Sequence, residues 1–338
     1  MALLLSQFSL YQSFYWKYQT SFSFLCWLNM TTVLITGGTG LIGTALTKAL
    51  MQKSYEVIIL SRSRISSSQK NLSYAVWDID NQTIDEEAIK KADYIIHLAG
   101  ANVGEKRWTN KRKKEIVDSR VDSGKPVVKA LKDFPNKVQA VISSSAMGYY
   151  GPDAATSKPK PFVETDPPHS DFLATTVVQW EAAIEPVKNL GKRLVWFRTG
   201  IVLSNEGGAY KEFKKPLQFG LASILGSGEQ MVSWIHIDDL VRLYIEAMEN
   251  EKYNGVYNAV APNPVSNKEL IKEIAKQTKR FYLTAKVPSF ILKTVLGEMS
   301  IEVLKSTTVN SEKVLREGFQ FLYPTINDAL TSLSSQKN

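Results

Sequence analysis

Cysteine is nearly absent: one residue in 338, Cys26, leaves no disulfide framework, no thiolate metal site and no cysteine nucleophile beyond that position. A reducing cytoplasm is the expected location. Histidine is almost as scarce. His97, His169 and His236 stand far apart, without ligand spacing, so no metal is expected. No uninterrupted apolar run approaches the ~20 residues that span a bilayer, and no membrane partner is expected. There is no internal repeat and no low-complexity linker. The formal net charge of +8 is spread along the chain. Its one dense run, Lys111-Arg112-Lys113-Lys114, falls in a helical pattern and is read as a solvated helix face, not a nucleic-acid patch.

What remains is an ordinary globular composition, with 22% charged and 44% hydrophobic residues, which rules out a disordered or fibrous chain. A length of 338 residues is near the limit for one core, so one large α/β domain with a smaller lobe is expected. Residues 1–29 are set apart. Their apolar residues are interrupted by Gln7, Ser9, Gln12, Lys17 and Gln19, and they lack a basic start and a small-residue cleavage site. They are read as a leader outside the fold, with Met30 as the true start.

From Thr31 onward short β-branched runs alternate with amphipathic stretches, the pattern of βαβ units. Strands are expected at Thr32 to Thr36, Glu56 to Ser61, Ser73 to Asp78, Asp93 to Leu98, Lys137 to Ser143 and Arg193 to Arg198. Helical periodicity is clearest over Leu41 to Gln52, Arg112 to Leu131 and Phe172 to Leu190. Glycines at 37, 40 and 43 follow the first strand and open the first helix. Gly37 permits a sharp turn. Gly40 lets the backbone at Thr39, Leu41 and Ile42 approach a pyrophosphate, and Gly43 lets helix and sheet pack closely.

These features give the expected fold class: α/β, a doubly wound parallel sheet of the NAD(P)-binding Rossmann type. Residues 30–200 form that domain, and residues 201–338 are mainly a substrate lobe with C-terminal helices. After the second strand, where an NAD enzyme places an acidic residue for the ribose, stand Ser61-Arg62 and then Arg64. A guanidinium there pairs with a 2′-phosphate, so NADP is expected over NAD. The alternative is that Arg62 only stacks beside the adenine. Asp78 either accepts from the adenine amino group or is an ordinary strand-end carboxylate.

Gly37 to Gly43, His97-Leu98-Ala99-Gly100 and Ser143-Ser144-Ser145 resemble the extended short-chain dehydrogenase/reductases, the sugar-nucleotide epimerase and dehydratase superfamily. Further segments narrow the resemblance to an atypical epimerase-like branch with its own C-terminal domain. They include Arg107-Trp108-Thr109, Ser119-Arg120, Ser145 to Gly151, Asp171 to Ala174, Trp180-Glu181, Arg198-Thr199-Gly200, Ser233 to Asp239, Asn258 to Pro264 and Gly318 to Phe321. The resemblance implies that the backbone of Leu98, Ala99 and Gly100 flanks the cofactor. It also implies a Tyr, with a Lys four residues on, in the helix from Phe172. That dyad is missing. Glu181 taken as the helix's usual acidic residue puts Leu173 and Val177 in its place, and a shift by one gives Phe172 and Thr176.

Substitutes are Tyr149 as proton donor and Ser145 to orient a carbonyl, although Tyr149 and Tyr150 serve equally well as aromatics walling the cleft. Arg107 and Arg120 are candidates for binding a carboxylate or phosphate, Trp108 for stacking on a ring and Tyr150 for lining the substrate site; plain surface or packing roles are the alternatives. His236 and Asp239 are read as structural, with the Asp capping the next helix. Phe281-Tyr282 and Pro288-Ser289-Phe290 offer either a homodimer face or core packing. The expected function is an NADP-binding, epimerase-like oxidoreductase for a polar or nucleotide-linked small molecule. The rival is a catalytically silent NADP-binding regulator.

Overall fold

The computed structural model describes residues 30–156, 159–278 and 281–335. The expected leader and Cys26 lie outside the described residues.

The run Thr-Val-Leu-Ile-Thr makes β1 (Thr32–Thr36), in which every residue is buried, as a parallel strand covered on both faces requires. The chain continues through α1 (Leu41–Gln52), β2 (Glu56–Ser61), β3 (Leu72–Asp78), β4 (Thr83–Ile84), α2 (Glu86–Lys91), β5 (Tyr94–His97), α3 (Asn110–Asp133), β6 (Ala140–Ala146), α4 (Phe172–Ile184) and β7 (Arg193–Thr199). It then leaves the main sheet through β8 (Ile201–Leu203), α5 (Gly208–Lys214), β9 (Leu221–Leu225), β10 (Met231–Val232) and β11 (Trp234–His236). α6 (Ile237–Glu249) and β12 (Gly255–Ala259) bring it back. The remainder is β13 (Val265–Ser266), α7 (Asn267–Gln277), β14 (Leu283–Val287), α8 (Ser289–Leu296), α9 (Ser300–Leu304), α10 (Glu312–Arg316) and α11 (Ile326–Ser335).

The main sheet runs β12-β7-β6-β5-β1-β2-β3-β4, with only β4 antiparallel. Alternation along β1 assigns its two faces. Val33 and Ile35 pack against Leu46 and Leu50 of α1 and Leu240 and Leu243 of α6. Leu34 packs with Val127 and Leu131 of α3 and with Ile184 at the end of α4. Strand order reverses between β1 and β5, and the crevice beyond the carboxyl ends of those strands is where such sheets take ligands.

The long helix expected from Phe172 to Leu190 is shorter. Pro186 cannot donate to the helix, so the α-helix stops at Ile184 and a 3₁₀ turn carries the chain to Gly191, whose φ is 69°. In α3, by contrast, Pro126 sits inside an unbroken helix. The carbonyl it leaves unpaired, that of Asp122, accepts from the Gln82 side-chain amide at 3.3 Å.

The lobe has its own core of Leu203, Trp234, Leu270, Ile274, Ala329 and Leu330. β9 and β14 form a parallel ribbon over it. Of the aromatics with two expected roles, Tyr282 packs against this core, whereas Phe281 and Phe290 are 84% and 67% exposed. No helix among the described residues is long and apolar enough to cross a membrane.

Candidate functional site

The turn from β1 into α1 is shaped by what glycine lacks. Gly37 has φ 68°, and a Cβ there would lie 2.9 Å from the Leu98 carbonyl and 3.0 Å from the Ala99 nitrogen. The strip after β5 therefore runs directly against the turn. At Gly43 a Cβ would stand 2.4 Å from the Gly37 oxygen, so only glycine lets α1 start this close to the turn. Gly40 is exposed and caps α1 without a side chain. The amides of Leu41, Ile42 and Gly43 find no protein acceptor among the described residues. A row of free amides at the positive end of a helix suits an anion.

Thr36 ties the two sides together. Its hydroxyl accepts from the Leu98 amide at 3.1 Å and the Ala99 amide at 3.2 Å. With both acceptor sites used, its proton goes to Nδ1 of His97, 2.8 Å away, which leaves the ring proton on Nε2, facing Ser123. Burial holds His97 neutral and lowers its pKa to about 4. One residue further along, the Ala101 amide donates to Ser119 Oγ at 2.9 Å. The 98–101 strip is thus fixed from both flanks, and Gly100 is its exposed point.

Arg62 is exposed just past β2, and Arg64 lines a hollow of about 370 Å³ with Tyr74, Val76 and Asp85. Asp78 is occupied locally. Its carboxylate accepts from the Asn81 amide at 3.0 Å and from Asn81 Nδ2 at 2.8 Å, bonds that lower its pKa.

A second group of residues gathers at the carboxyl ends of β6 and β7. Ser145 is buried, and its hydroxyl donates to Glu181 at 2.6 Å. Glu181 also takes a two-pronged pair from Arg198, with Nε and Nη2 each 2.9 Å from a carboxylate oxygen. Burial alone would lower the Arg198 pKa, but the Glu181 carboxylate outweighs it and holds the guanidinium above its usual value. Arg198 lies 3.3 Å from the Tyr149 ring centre. The Tyr149 hydroxyl makes no protein hydrogen bond among the described residues, and its side chain is half-buried.

Two side chains expected at the substrate surface lie in the core instead. Tyr150 is fully buried, stacks on Phe162 with ring centres 5.1 Å apart, donates to Asn258 at 2.8 Å and accepts from Arg198 at 3.1 Å. Its pKa is raised to about 12, chiefly by burial. Trp108 is 8% exposed, donates through Nε1 to the Val103 carbonyl at 2.8 Å and meets Phe172 edge-on. Both are largely engaged in packing, the alternative role each was given.

The two candidate arginines are used differently. Arg107 is exposed and lies against Gly297, where a Cβ would come within 2.6 Å of its Nε. Arg120 sits beside Gly100. Leu173 packs on the backbone of Gly148, and Val177 is buried, so the helix presents no acid or base at the positions of the missing dyad.

His236 itself caps α6, accepting from the Asp238 amide. Asp239, expected as that cap, holds the Leu322 and Tyr323 amides and Arg242 instead. Arg198, Glu181 and Thr36 were not among the expected site residues. One signal was present: a lone charge closing the apolar run Leu194-Val195-Trp196-Phe197-Arg198 requires a buried partner. Among the described residues no three His, Cys, Asp or Glu side chains converge as a metal site would require.

The geometry has counterparts in known proteins. The family model described as NAD dependent epimerase/dehydratase family matches residues 33–259, and a second, described as Domain of unknown function (DUF1731), matches residues 287–333. An epimerase family protein of Staphylococcus saprophyticus is 38% identical over 309 residues, which are 90% of this chain and 99% of that one. An epimerase family protein of Bacillus subtilis is 34% identical, over 90% and 98% of the two chains. The crystal structure of human epimerase family protein SDR39U1 (isoform 2) with NADPH superposes with a TM-score of 0.79 at 29% identity, covering 90% of this chain and 99% of that chain.

Proposed function

The chain belongs to the NAD dependent epimerase/dehydratase family, and from that premise we propose that it is an NADP-binding, epimerase-like oxidoreductase acting on a polar or nucleotide-linked small molecule. The observation that carries this reading is the fit of the cradle. Cβ atoms at Gly37 and Gly43 would close it, the Leu41, Ile42 and Gly43 amides are unspent, and the Leu98 to Gly100 strip borders it.

Thr39, Gly40, Leu41 and Ile42 would hold the pyrophosphate through backbone groups, and Arg62 would pair with the 2′-phosphate. NADP(H) supplies hydride acceptance or donation when bound. The protein's own part is proton movement. Tyr149 is the phenol with an uncommitted hydroxyl, and Arg198 on its ring face stabilises the negative charge that develops as the proton leaves. Ser145 acts through its oxygen, because its proton is engaged by Glu181. The substrate would lie between the Ser145 to Tyr149 segment and the lobe.

A second reading, a silent NADP-binding regulator, is favoured by one observation: the dyad positions hold Leu173 and Val177, which are packed as apolar residues.

Calorimetric titration of the protein with NADP, NADPH and NAD tests the cofactor. NADPH should bind at least tenfold more tightly than NAD, and Arg62→Ala should remove most of that preference, the worth of one charge-assisted pair. Equal affinities in the unmodified protein would end the NADP assignment. If the protein binds the cofactor but neither oxidises NADPH with carbonyl panels, nor reduces NADP with alcohol panels, nor converts nucleotide sugars, the regulator reading gains.

A further inference from the structure

Two arginines of α3 lie two helical turns apart, and the fold treats them unequally. Arg112 is buried with its charge answered, by Glu105 at 3.1 Å and Glu115 at 2.8 Å. Arg120 has no such partner among the described residues. Its Cγ and Cζ lie 3.2 Å and 3.3 Å from where a Cβ on Gly100 would be, so the side chain is laid along the exposed point of the 98–101 strip. The Trp180 ring backs the guanidinium, with its centre 4.9 Å from Cζ. One N–H, on Nη1, donates to the Ile116 carbonyl at 2.9 Å. No carboxylate pairs with Arg120 among the described residues.

A guanidinium carries five N–H donors in a rigid fork that matches a carboxylate or phosphate. Four of those on Arg120 have no protein acceptor among the described residues. Withdrawal from water costs the cation stability: its pKa is lowered to about 10, first by burial and then by the like charge of Arg112. Among the described residues carboxylates answer Arg112 and none answers Arg120, which leaves the second charge for a ligand.

We propose that Arg120 is the anion-binding group of the substrate site, so that the substrate carries a carboxylate or phosphate held over Gly100. This rests on the cofactor reading above and adds the charge of the substrate to it. Location separates Arg120 from the pyrophosphate cradle. That cradle touches the strip at Leu98 and Ala99, whereas Arg120 lies at Gly100 and against Trp180. The residue after Trp180 is Glu181, which holds Ser145 and Arg198. Arg120 thus lies between Gly100 of the strip and Trp180, the helix neighbour of that glutamate. Arg120 is half-buried and takes part in no ion pair among the described residues, so replacing it leaves no carboxylate unpaired.

The test compares the unmodified protein with Arg120→Met and Arg120→Lys. Each is titrated with NADPH, and separately with malonate and with inorganic phosphate, in the presence and absence of NADPH. The unmodified protein should bind at least one anion. Arg120→Met should weaken that binding tenfold or more while NADPH affinity stays within threefold and the Tm in anion-free buffer stays within about 3 °C of the unmodified protein, as for a half-buried side chain with no ion-pair partner. Arg120→Lys, which keeps the charge without the fork, should fall between; it also decides the matter if the Met variant does not fold.

Equal anion affinities in the unmodified protein and the variants, or no anion binding to the unmodified protein, would overturn the proposal. A tenfold loss of NADPH affinity in Arg120→Met would also overturn it, by assigning the guanidinium to the cofactor's own phosphates. If the unmodified protein binds no NADPH, the cofactor reading fails separately, and the anion titrations without NADPH still decide the role of Arg120.

Discussion

A histidine held at a pKa of about 4 by burial makes stability depend on pH in a direction that can be worked out. The unfolded chain takes up a proton at His97 near 6.5. The folded chain does not do so until about pH 4. The stability that rests on neutral His97 is therefore complete above pH 6.5 and falls by about 1.4 kcal/mol per unit below it. At pH 5 the loss should reach about 2 kcal/mol, read as a shift in the urea midpoint relative to pH 7. His236 is lowered too, by burial foremost and against the pull of Asp238 and Asp239, so it adds to the same acid limb. His97→Gln should flatten that limb without abolishing it. If the variant keeps the full acid sensitivity, His97 is not its source. The position is sensitive for another reason: the ring is the acceptor that fixes the Thr36 hydroxyl, and Thr36 holds the Leu98 and Ala99 amides.

At the scale of an element, α1 and its turn make the strongest demand on residue identity. Gly43→Ala would place a methyl 2.4 Å from the Gly37 oxygen, so the helix start must move away from the sheet. We expect the variant to lose at least tenfold in NADPH affinity, measured calorimetrically, and about 2 kcal/mol in stability, measured by urea unfolding. Unchanged binding would mean that the cradle tolerates a displaced helix. The same rigidity explains why the turn itself could be read from sequence. Glycines after an apolar strand have few other uses, and parallel strands buried on both faces announce themselves as compact apolar runs. Element ends were less legible where one residue decides them. Pro186 ends α4 yet Pro126 leaves α3 intact, because Gln82 reaches across 40 positions to the freed Asp122 carbonyl. Aromatic residues were the least legible. Tyr150 and Trp108 look the same in sequence whether they wall a cleft or fill a core, and only their buried partners distinguish the two. Ser145 shows the same limit, since its partner Glu181 lies 36 residues away on another element and no local pattern joins them.

For the whole molecule, the C-terminal segment is a clamp on the loop that follows Tyr149 and Tyr150. Asp153 accepts from Ser306 Oγ, the Thr308 amide and Thr308 Oγ1, all at 2.7 Å. Lys305 reaches Asp171, the cap of α4, at 3.4 Å, and Phe162 bridges Val309. Asp153→Ala leaves these donors without their carboxylate. It should cost about 2 to 3 kcal/mol and open the 151–170 loop to limited proteolysis while the β1 to β3 region stays resistant. Cleavage at an unchanged rate would show that the clamp is held elsewhere. The path of the chain carries a broader consequence. It leaves the main sheet at Thr199, builds much of the lobe, and only then returns with α6 and β12 to cover β7. A gene broken near codon 200 would separate a nucleotide-binding half whose last strand is a raw, unpaired border, prone to stick to its like. The cofactor half is therefore not a cassette that recombination can lift out and set before a new partner, and changes of substrate have to come from replacing side chains within an intact chain.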